Sequence, residues 1–281
     1  MSFALDRFDL EAFVETTLAE DLGDHGDVTS SAVIPAEARF GGVMRSREEI
    51  VVAGLPIAEA FFRALDPDVE VERFAQDGDV AVQGDILLRL RGLARPMLTA
   101  ERSALNTVQH LSGIATLTRR YVDAIAGTGA VLLDTRKTLP GLRVLEKYAT
   151  RMGGARNHRM RLDDAAMIKD NHVAVAGGVG EAVRRAREAG IGRIIVEVDR
   201  LDQIGQAIEA GATHLLLDNM GDAALREAVA LVAGRVPTEA SGGVSLETIR
   251  ATAETGVDYV SVGRITQSAP AVDIGLDFEA I

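Results

Sequence analysis

From Gly129 onward the chain repeats one rhythm: a short apolar run, a polar loop, then an amphipathic helix. No other feature limits its fold so strongly. The apolar runs lie at 131–133, 165–168, 194–198, 215–217, 236–240 and 259–262. Continuous apolar strands alternating with helices predict a parallel sheet covered on both faces, either closed into a barrel or open and doubly wound. The polar residues choose between these. Asp134, Arg136 and Lys137 follow the first run, and Lys169 and Asp170 the second. Glu197 lies in the third, Asp218 follows the fourth, Ser241-Gly242-Gly243 the fifth and Gly263 the sixth. An open sheet uses few of its strand ends for ligand, whereas a barrel gathers all of them at one mouth. The pattern therefore predicts a barrel, and six runs rather than eight predict an incomplete one.

The preceding half has a different character. Leu10, Phe13, Val14, Leu18 and Leu22 fall at helical spacing and predict a first helix ending at the turn 23–27. Alternating residues at Val69, Val71, Ile86, Leu88 and Leu90, punctuated by Asp77-Gly78-Asp79 and Gly84-Asp85, predict hairpin strands around a helix near 56–65. A long helix is expected next, capped by Thr99, running to Ile125 and bent or broken at Ser112-Gly113. The predicted organisation is an N-terminal domain over 1–110, the barrel over 111–270, and a tail, 271–281, returning to the first domain.

Composition narrows the function. A net charge of −12 repels nucleic-acid phosphates and anionic membranes, so neither is an expected partner. With no cysteine in 281 residues there is no thiolate nucleophile, disulfide or cysteine-bound metal. The first eleven residues lack the apolar centre of a signal peptide, and no apolar run reaches the roughly 18 residues of a membrane span. A cytoplasmic protein is expected.

Arg136-Lys137 sets a planar fork beside a point charge just past a strand, a pairing suited to carboxylate or phosphate. In isolation such a pair is ordinarily a solvated loop. Asn157-His158-Arg159 adds a second cluster after Gly153-Gly154, and Lys169 a third cation. Lys169 reads either as a buried cation with an anionic partner, as a Schiff-base nucleophile, or as a strand-end lysine reaching water. Glu197 and Asp218, at successive strand ends, could bind Mg²⁺, accept ribose hydroxyls, or pair with Lys169 or an arginine. Ser241-Gly242-Gly243, before a helix expected near Ser245, and Val262-Gly263 occupy the strands that usually build a barrel's phosphate seat. His25, His110, His172 and His214 stand apart with no zinc-like spacing, and no nucleophile elbow, Walker loop or dinucleotide fingerprint occurs.

Several stretches together resemble the quinolinate phosphoribosyltransferase family, also called nicotinate-nucleotide pyrophosphorylase (carboxylating). They are Glu20-Asp21-Leu22-Gly23-Asp24 with Gly26-Asp27-Val28-Thr29, the run 100–106, Leu111-Ser112-Gly113-Ile114-Ala115-Thr116, Asp134-Thr135-Arg136-Lys137-Thr138, Asn157-His158-Arg159 and Ile168-Lys169-Asp170-Asn171-His172. The resemblance spans the whole chain. It implies an N-terminal α/β sandwich and a C-terminal open α/β barrel. It also implies an enzyme of NAD biosynthesis that joins quinolinate to phosphoribosyl pyrophosphate (PRPP) with decarboxylation, and a homodimer, or a higher oligomer built from it. Arg102 would reach the neighbour's site. Arg136, His158, Arg159 and Lys169 would surround the quinolinate carboxylates, Lys137 would serve the quinolinate and pyrophosphate region, and Thr135 and Arg264 would join the substrate contacts. Glu197 and Asp218 would hold ribose and the Mg²⁺ of PRPP. Ser241, Gly242 and Gly243, with Val262 and Gly263, would hold its 5′-phosphate. Lys137, Lys169, Glu197 and Asp218 would be the catalytic set.

Leu139, Met152, Ala155-Arg156, Arg161, Arg264 and Gln267 depart from the family's usual residues. Three other readings compete: a homologue of molybdenum-utilisation type, which departs at the segment retained here as 168–172; an aldolase using Lys169; and a non-catalytic ligand-binding protein.

Overall fold

The computed structural model describes residues 5–279. Five strands precede the long helix Ala94–Ala124: β1 (Arg39–Ser46), β2 (Ile50–Val51), β3 (Glu70–Arg73), β4 (Val80–Ala81) and β5 (Ile86–Leu93). Six follow it: β6 (Val131–Leu133), β7 (Ala166–Ile168), β8 (Ile194–Val198), β9 (His214–Asp218), β10 (Thr238–Ser241) and β11 (Tyr259–Ser261). β12 (Ile274–Glu279) comes last. The chain divides into two compact units. One holds the described residues up to Leu117, Val144–Gly154 and those from Ala269 onward; the other holds Thr118–Arg143 and Ala155–Ser268. The first unit thus runs past residue 110 and takes in the helix Arg143–Met152, except for its first residue.

In the first unit β12, β1, β5 and β3 form an antiparallel sheet in that order, with β2 and β4 paired beside it. The helix Leu55–Leu65 buries Ile57, Ala58, Phe61 and Phe62 completely. Each such large side chain is worth about 1.5–3 kcal/mol. Pro56 suits the helix start, where a missing N–H costs nothing. Asp77 satisfies the orphan donors there, accepting from the amides of Gly54 at 2.8 Å and Leu55 at 3.0 Å, and from the Tyr148 hydroxyl at 2.6 Å.

The long helix departs from expectation in two ways. It starts at Ala94, not Thr99, whose hydroxyl instead donates to Arg95 O and to Asp27 Oδ2, both at 2.9 Å. It also continues through Ser112-Gly113 without a break. A Cβ on Gly113 would lie 2.1 Å from the Pro270 carbonyl oxygen, so the glycine serves close approach of backbone rather than a bend. Among the described residues no helix is long and apolar enough to cross a membrane.

The second unit is a six-stranded parallel sheet in the order β6-β11-β10-β9-β8-β7. Its strands are apolar almost throughout because both faces are covered. Ile195, Val196, Leu215, Leu217 and Val260 are fully buried, and helices close over them with Val183, Ile204, Leu225, Ala228 and Ile249. Hydrogen bonds do not close the sheet into a full barrel. On the free edge of β6, Arg156 makes one parallel bridge to Leu133, and the loop 157–165 then leads to β7 on the opposite edge. The helix expected near Ser245 begins only at Ile249. Residues 245–248 form a turn in which the amide of Ser245 donates to Thr248 Oγ1 at 3.0 Å.

Candidate active site

Parallel strands deliver their C-terminal ends to one side, and there the second unit holds a cavity of about 740 Å³. Its wall includes Thr135, Arg136 and Lys137 after β6, Lys169 after β7, Glu197 in β8 and Asp218 at the end of β9. Ser241, Gly242 and Gly243 line it from β10, Val262, Gly263 and Arg264 from β11, and His158 and Arg159 from the edge-spanning loop. Residues separated by well over a hundred positions are thus brought together. Arg102 is the exception: it lies exposed on the long helix, in the first unit, and does not line this cavity.

The cations are held from behind. Thr135 Oγ1 accepts from the Lys137 amide at 3.0 Å, and the Thr266 hydroxyl donates to the Lys137 carbonyl at 2.7 Å, which fixes the turn. A Cβ on Gly263 would meet Lys137 Cδ at 2.7 Å, so glycine there lets the lysine stem pass. Arg136 has a buried Nε–H with no acceptor among the described residues. Arg159 is buried and donates through a guanidinium N–H to the Ala165 carbonyl at 3.1 Å. Burial weakens its hold on the proton, the neighbouring Arg136 charge adds to that effect, and Asp164 opposes it. Two guanidinium groups so close in a desolvated wall make a strong electrostatic demand for an anion.

The carboxylates face them. Lys169 Nζ pairs with Glu197 Oε2; the lysine side chain is 47% exposed and the glutamate 13%. Lys169 is therefore a half-exposed ion-paired ammonium and not a buried cation. Asp218 Oδ2 accepts from Asn219 Nδ2 at 2.7 Å. Asn219 takes a left-handed φ of 53°, and its amide donates to Ser241 O at 2.8 Å. Gly242 has φ +98°, and a Cβ there would lie 2.1 Å from Asn219 Oδ1, so only glycine fits this turn. Beyond it, the amides of Gly243 and Val244 have no acceptor among the described residues, leaving donors for an anionic oxygen.

Sequence reasoning passed over Asn219 and Glu239, and gave Asp134 no role beyond marking a strand end. Asp134, fully buried, accepts from the His158 amide at 2.8 Å and from Asn157 Nδ2 at 2.5 Å, holding the start of the edge-spanning loop. Asn219 shapes the glycine turn. Glu239, 1% exposed on β10, also lines the cavity; its Oε2 lies 3.2 Å from His158 Nε2 and 2.9 Å from His214 Nε2. His214, which seemed isolated, is therefore a carboxylate partner, stacked on Tyr259 at 5.6 Å; His110 likewise meets Glu146 at 3.0 Å. Burial pushes the Glu239 carboxyl up, but hydrogen bonds to His158 and His214 outweigh it and hold it at about 2. A usable signal was present. Glu239 stands two residues before Ser241, so period-two alternation sends both to the same face. Among the described residues no group of three or more His, Asp or Glu could hold a metal ion.

The likeness to known proteins follows the same outline. The family model for the quinolinate phosphoribosyl transferase N-terminal domain matches residues 27–112, and that for the C-terminal domain matches 114–277. A chloroplastic carboxylating nicotinate-nucleotide pyrophosphorylase of Oryza sativa is 40% identical, the match covering 97% of this chain and 78% of that one. A probable carboxylating nicotinate-nucleotide pyrophosphorylase of Bacillus subtilis is 38% identical over 97% of this chain and 94% of the relative. The crystal structure of NadC from Streptococcus pyogenes superposes with a TM-score of 0.93 at 37% identity, covering 99% of this chain and all of that one. The chain belongs to the quinolinate phosphoribosyltransferase family.

Proposed function

We propose that this chain transfers the phosphoribosyl group of PRPP to quinolinate and releases CO₂, forming nicotinate mononucleotide and pyrophosphate for NAD biosynthesis. The observation that carries this reading is the single cavity wall that joins Arg136 and Arg159 to Glu197, Asp218 and the glycine turn. One group suits a small dicarboxylate, the second a sugar, the third a phosphate.

In this reading the arginines seat the two carboxylates of quinolinate and Lys169 adds charge beside them. Thr135, Lys137, Val262, Gly263 and Arg264 line the path toward the phosphate groups. The pyridine nitrogen attacks the anomeric carbon as the C–O bond to pyrophosphate breaks, and both bonding electrons leave with the pyrophosphate. Glu197 and Asp218 stabilise the cation-like sugar. Nitrogen is then positively charged, so the adjacent ring carbon can accept the electron pair released with CO₂; a proton restores the ring C–H. Decarboxylation therefore follows ring attachment. Positioning and charge supply the rate enhancement.

Two carboxylates with no third His, Asp or Glu ligand do not make a resident metal site, yet they fit Mg²⁺ that arrives on the substrate's diphosphate and keeps phosphate and water oxygens as its remaining ligands. When bound, Mg²⁺ neutralises the leaving diphosphate. Arg102, on the surface of its own unit, fits a role toward a second copy in a homodimer. An ion-paired Lys169 is the opposite of the desolvated amine that Schiff-base chemistry uses, which disfavours the aldolase reading.

The test is product formation from quinolinate, PRPP and Mg²⁺, with Lys169→Ala as control. Equal amounts of nicotinate mononucleotide, pyrophosphate and CO₂, lost in the variant, support the proposal. Folded wild-type protein that makes none refutes it.

A further inference from the structure

Arg264 stands just past β11, at the start of the short helix Arg264–Gln267. The backbone that carries it is fixed, because the next two residues, Ile265 and Thr266, are buried and the Thr266 hydroxyl donates to the Lys137 carbonyl at 2.7 Å. The residue itself is exposed and lines the cavity with Gly242, Gly243, Val244 and Ser245. Its guanidinium has no hydrogen-bond or ion-pair partner among the described residues. Because Arg264 departs from the family's usual residue, its role has to come from its own surroundings.

Those surroundings hold a carboxylate that does not neutralise it. Exposed arginines elsewhere in this unit close on nearby acids: Arg200 Nε lies 2.9 Å from Asp202 and Arg250 Nε 2.6 Å from Glu254. Glu247 is near enough to feel the Arg264 charge, yet the two form no ion pair. The Ser245 hydroxyl and the glutamate's own amide occupy Glu247 instead and hold its carboxyl below the usual range, with Arg264 adding a smaller effect. Beneath this turn Tyr121 is 1% exposed; its hydroxyl meets the Leu246 amide and lies within reach of both charges. The guanidinium is thus left on the same side of the mouth as the amides of Gly243 and Val244, which have no acceptor among the described residues either.

Backbone N–H donors beside a planar guanidinium fork suit a tetrahedral dianion, and the fork grips phosphate through paired hydrogen bonds where a lysine supplies a point charge. In the sheet, β10 lies between β11 and the strands of Asp218 and Glu197. The fork therefore belongs with the glycine turn rather than with the two carboxylates that suit the sugar and its diphosphate.

We infer that Arg264 is a specificity-determining residue of this chain: its guanidinium grips the 5′-phosphate of PRPP at the Gly242-Gly243-Val244 turn and makes the site select ribosyl donors that carry that phosphate. The inference deepens the proposed function and rests on its phosphoribosyl half.

The test is calorimetric titration of ribose 5-phosphate, of pyrophosphate with Mg²⁺, and of PRPP into full-length wild type, Arg264→Ala and Arg264→Lys, all without quinolinate, with melting curves to establish folding. Arg264→Ala should weaken ribose 5-phosphate and PRPP by roughly tenfold, the worth of a charge-assisted contact. Arg264→Lys should recover only part of that loss, and pyrophosphate should change by less than about threefold, as expected of a screened charge at a distance. In turnover, KM for PRPP should rise in Arg264→Ala while kcat holds, the signature of lost uniform binding. An unchanged Kd for ribose 5-phosphate in Arg264→Ala overturns the inference, as does a loss for pyrophosphate equal to that for ribose 5-phosphate. The binding arm needs no reaction: wild-type protein that shows the expected Arg264 effect on ribose 5-phosphate but forms no nicotinate mononucleotide would sink the proposed reaction and leave the phosphate role of Arg264 standing.

Discussion

Arg63, Arg73 and Arg89 in the first unit carry the same charge as Arg136, Lys137 and Arg159 in the second, yet the two sets meet opposite surroundings. Glu59 accepts from Arg63 Nε at 2.7 Å and from Arg73 Nε at 2.8 Å; Arg89 donates to Glu279 at 3.0 Å and Glu72 at 3.2 Å. Those charges are neutralised locally and partly open to water, where an ion pair contributes little. At the mouth of the second unit, Arg136 and Lys137 have no carboxylate within ion-pairing distance among the described residues, and Arg159 spends a guanidinium N–H on a backbone carbonyl. A chain with net charge −12 has acidic groups to spare, so keeping them from Arg136 and Lys137 is informative. The difference teaches that paired surface arginines serve the fold, whereas Arg136 and Lys137, kept without carboxylates at the cavity wall, serve a ligand.

Substitutions can break or sharpen that contrast. The largest effect belongs to Arg159→Ala, which would leave a substrate carboxylate desolvated and unmatched. It should cost about 2–5 kcal/mol of transition-state stabilisation, or roughly thirtyfold to several thousandfold in kcat/KM for quinolinate. An unchanged kcat/KM would remove Arg159 from the site.

Glu239 gives a smaller effect, visible in stability. Its carboxyl is held at about 2 in the folded protein, below its unfolded value near 4.3. The resulting stabilisation is present above roughly pH 5 and is lost as pH falls toward about 2. Glu239→Gln has no such group. In urea titrations the wild type's advantage over the variant should be flat from about pH 5 to 7 and shrink, by on the order of 2–3 kcal/mol, as pH falls below about 4. A difference that stays constant with pH would show that the carboxylate is not held in the charged form.

Gly242→Ala should raise KM for PRPP roughly tenfold, since a left-handed residue with a side chain costs about 1–2 kcal/mol before its clash with Asn219 is counted. The Kd for quinolinate should stay the same. Equal losses for both ligands would mean that the turn supports the whole mouth rather than a phosphate seat. Smallest is Arg63→Ala, expected to change stability by less than about 1 kcal/mol and to leave kcat/KM untouched. A catalytic defect there would erase the distinction between the two sets of arginines.

Much of this layout was legible before any coordinates. Buried parallel strands must be apolar and their mouths polar, so Asp134, Lys169, Asp218 and Ser241 marked the strand ends by contrast with the runs before them. What escaped notice was polar chemistry inside a run. Glu239 read as one residue of an apolar strand, and nothing local tied it to His158, some eighty positions earlier. The long helix misled for a similar reason. Pro96 in its first turn marked the true start better than Thr99 did, and Gly113 looked like a break because the approach of Pro270 is a tertiary fact.

The central claim is that the mouth is built for two carboxylates on one small ring. It is tested most directly by calorimetric titration of quinolinate and of nicotinate, which has one carboxylate, into the wild-type protein without PRPP. The account predicts that quinolinate binds at least about tenfold more tightly, the worth of one further charge-assisted contact. Equal affinity for the two acids would contradict it.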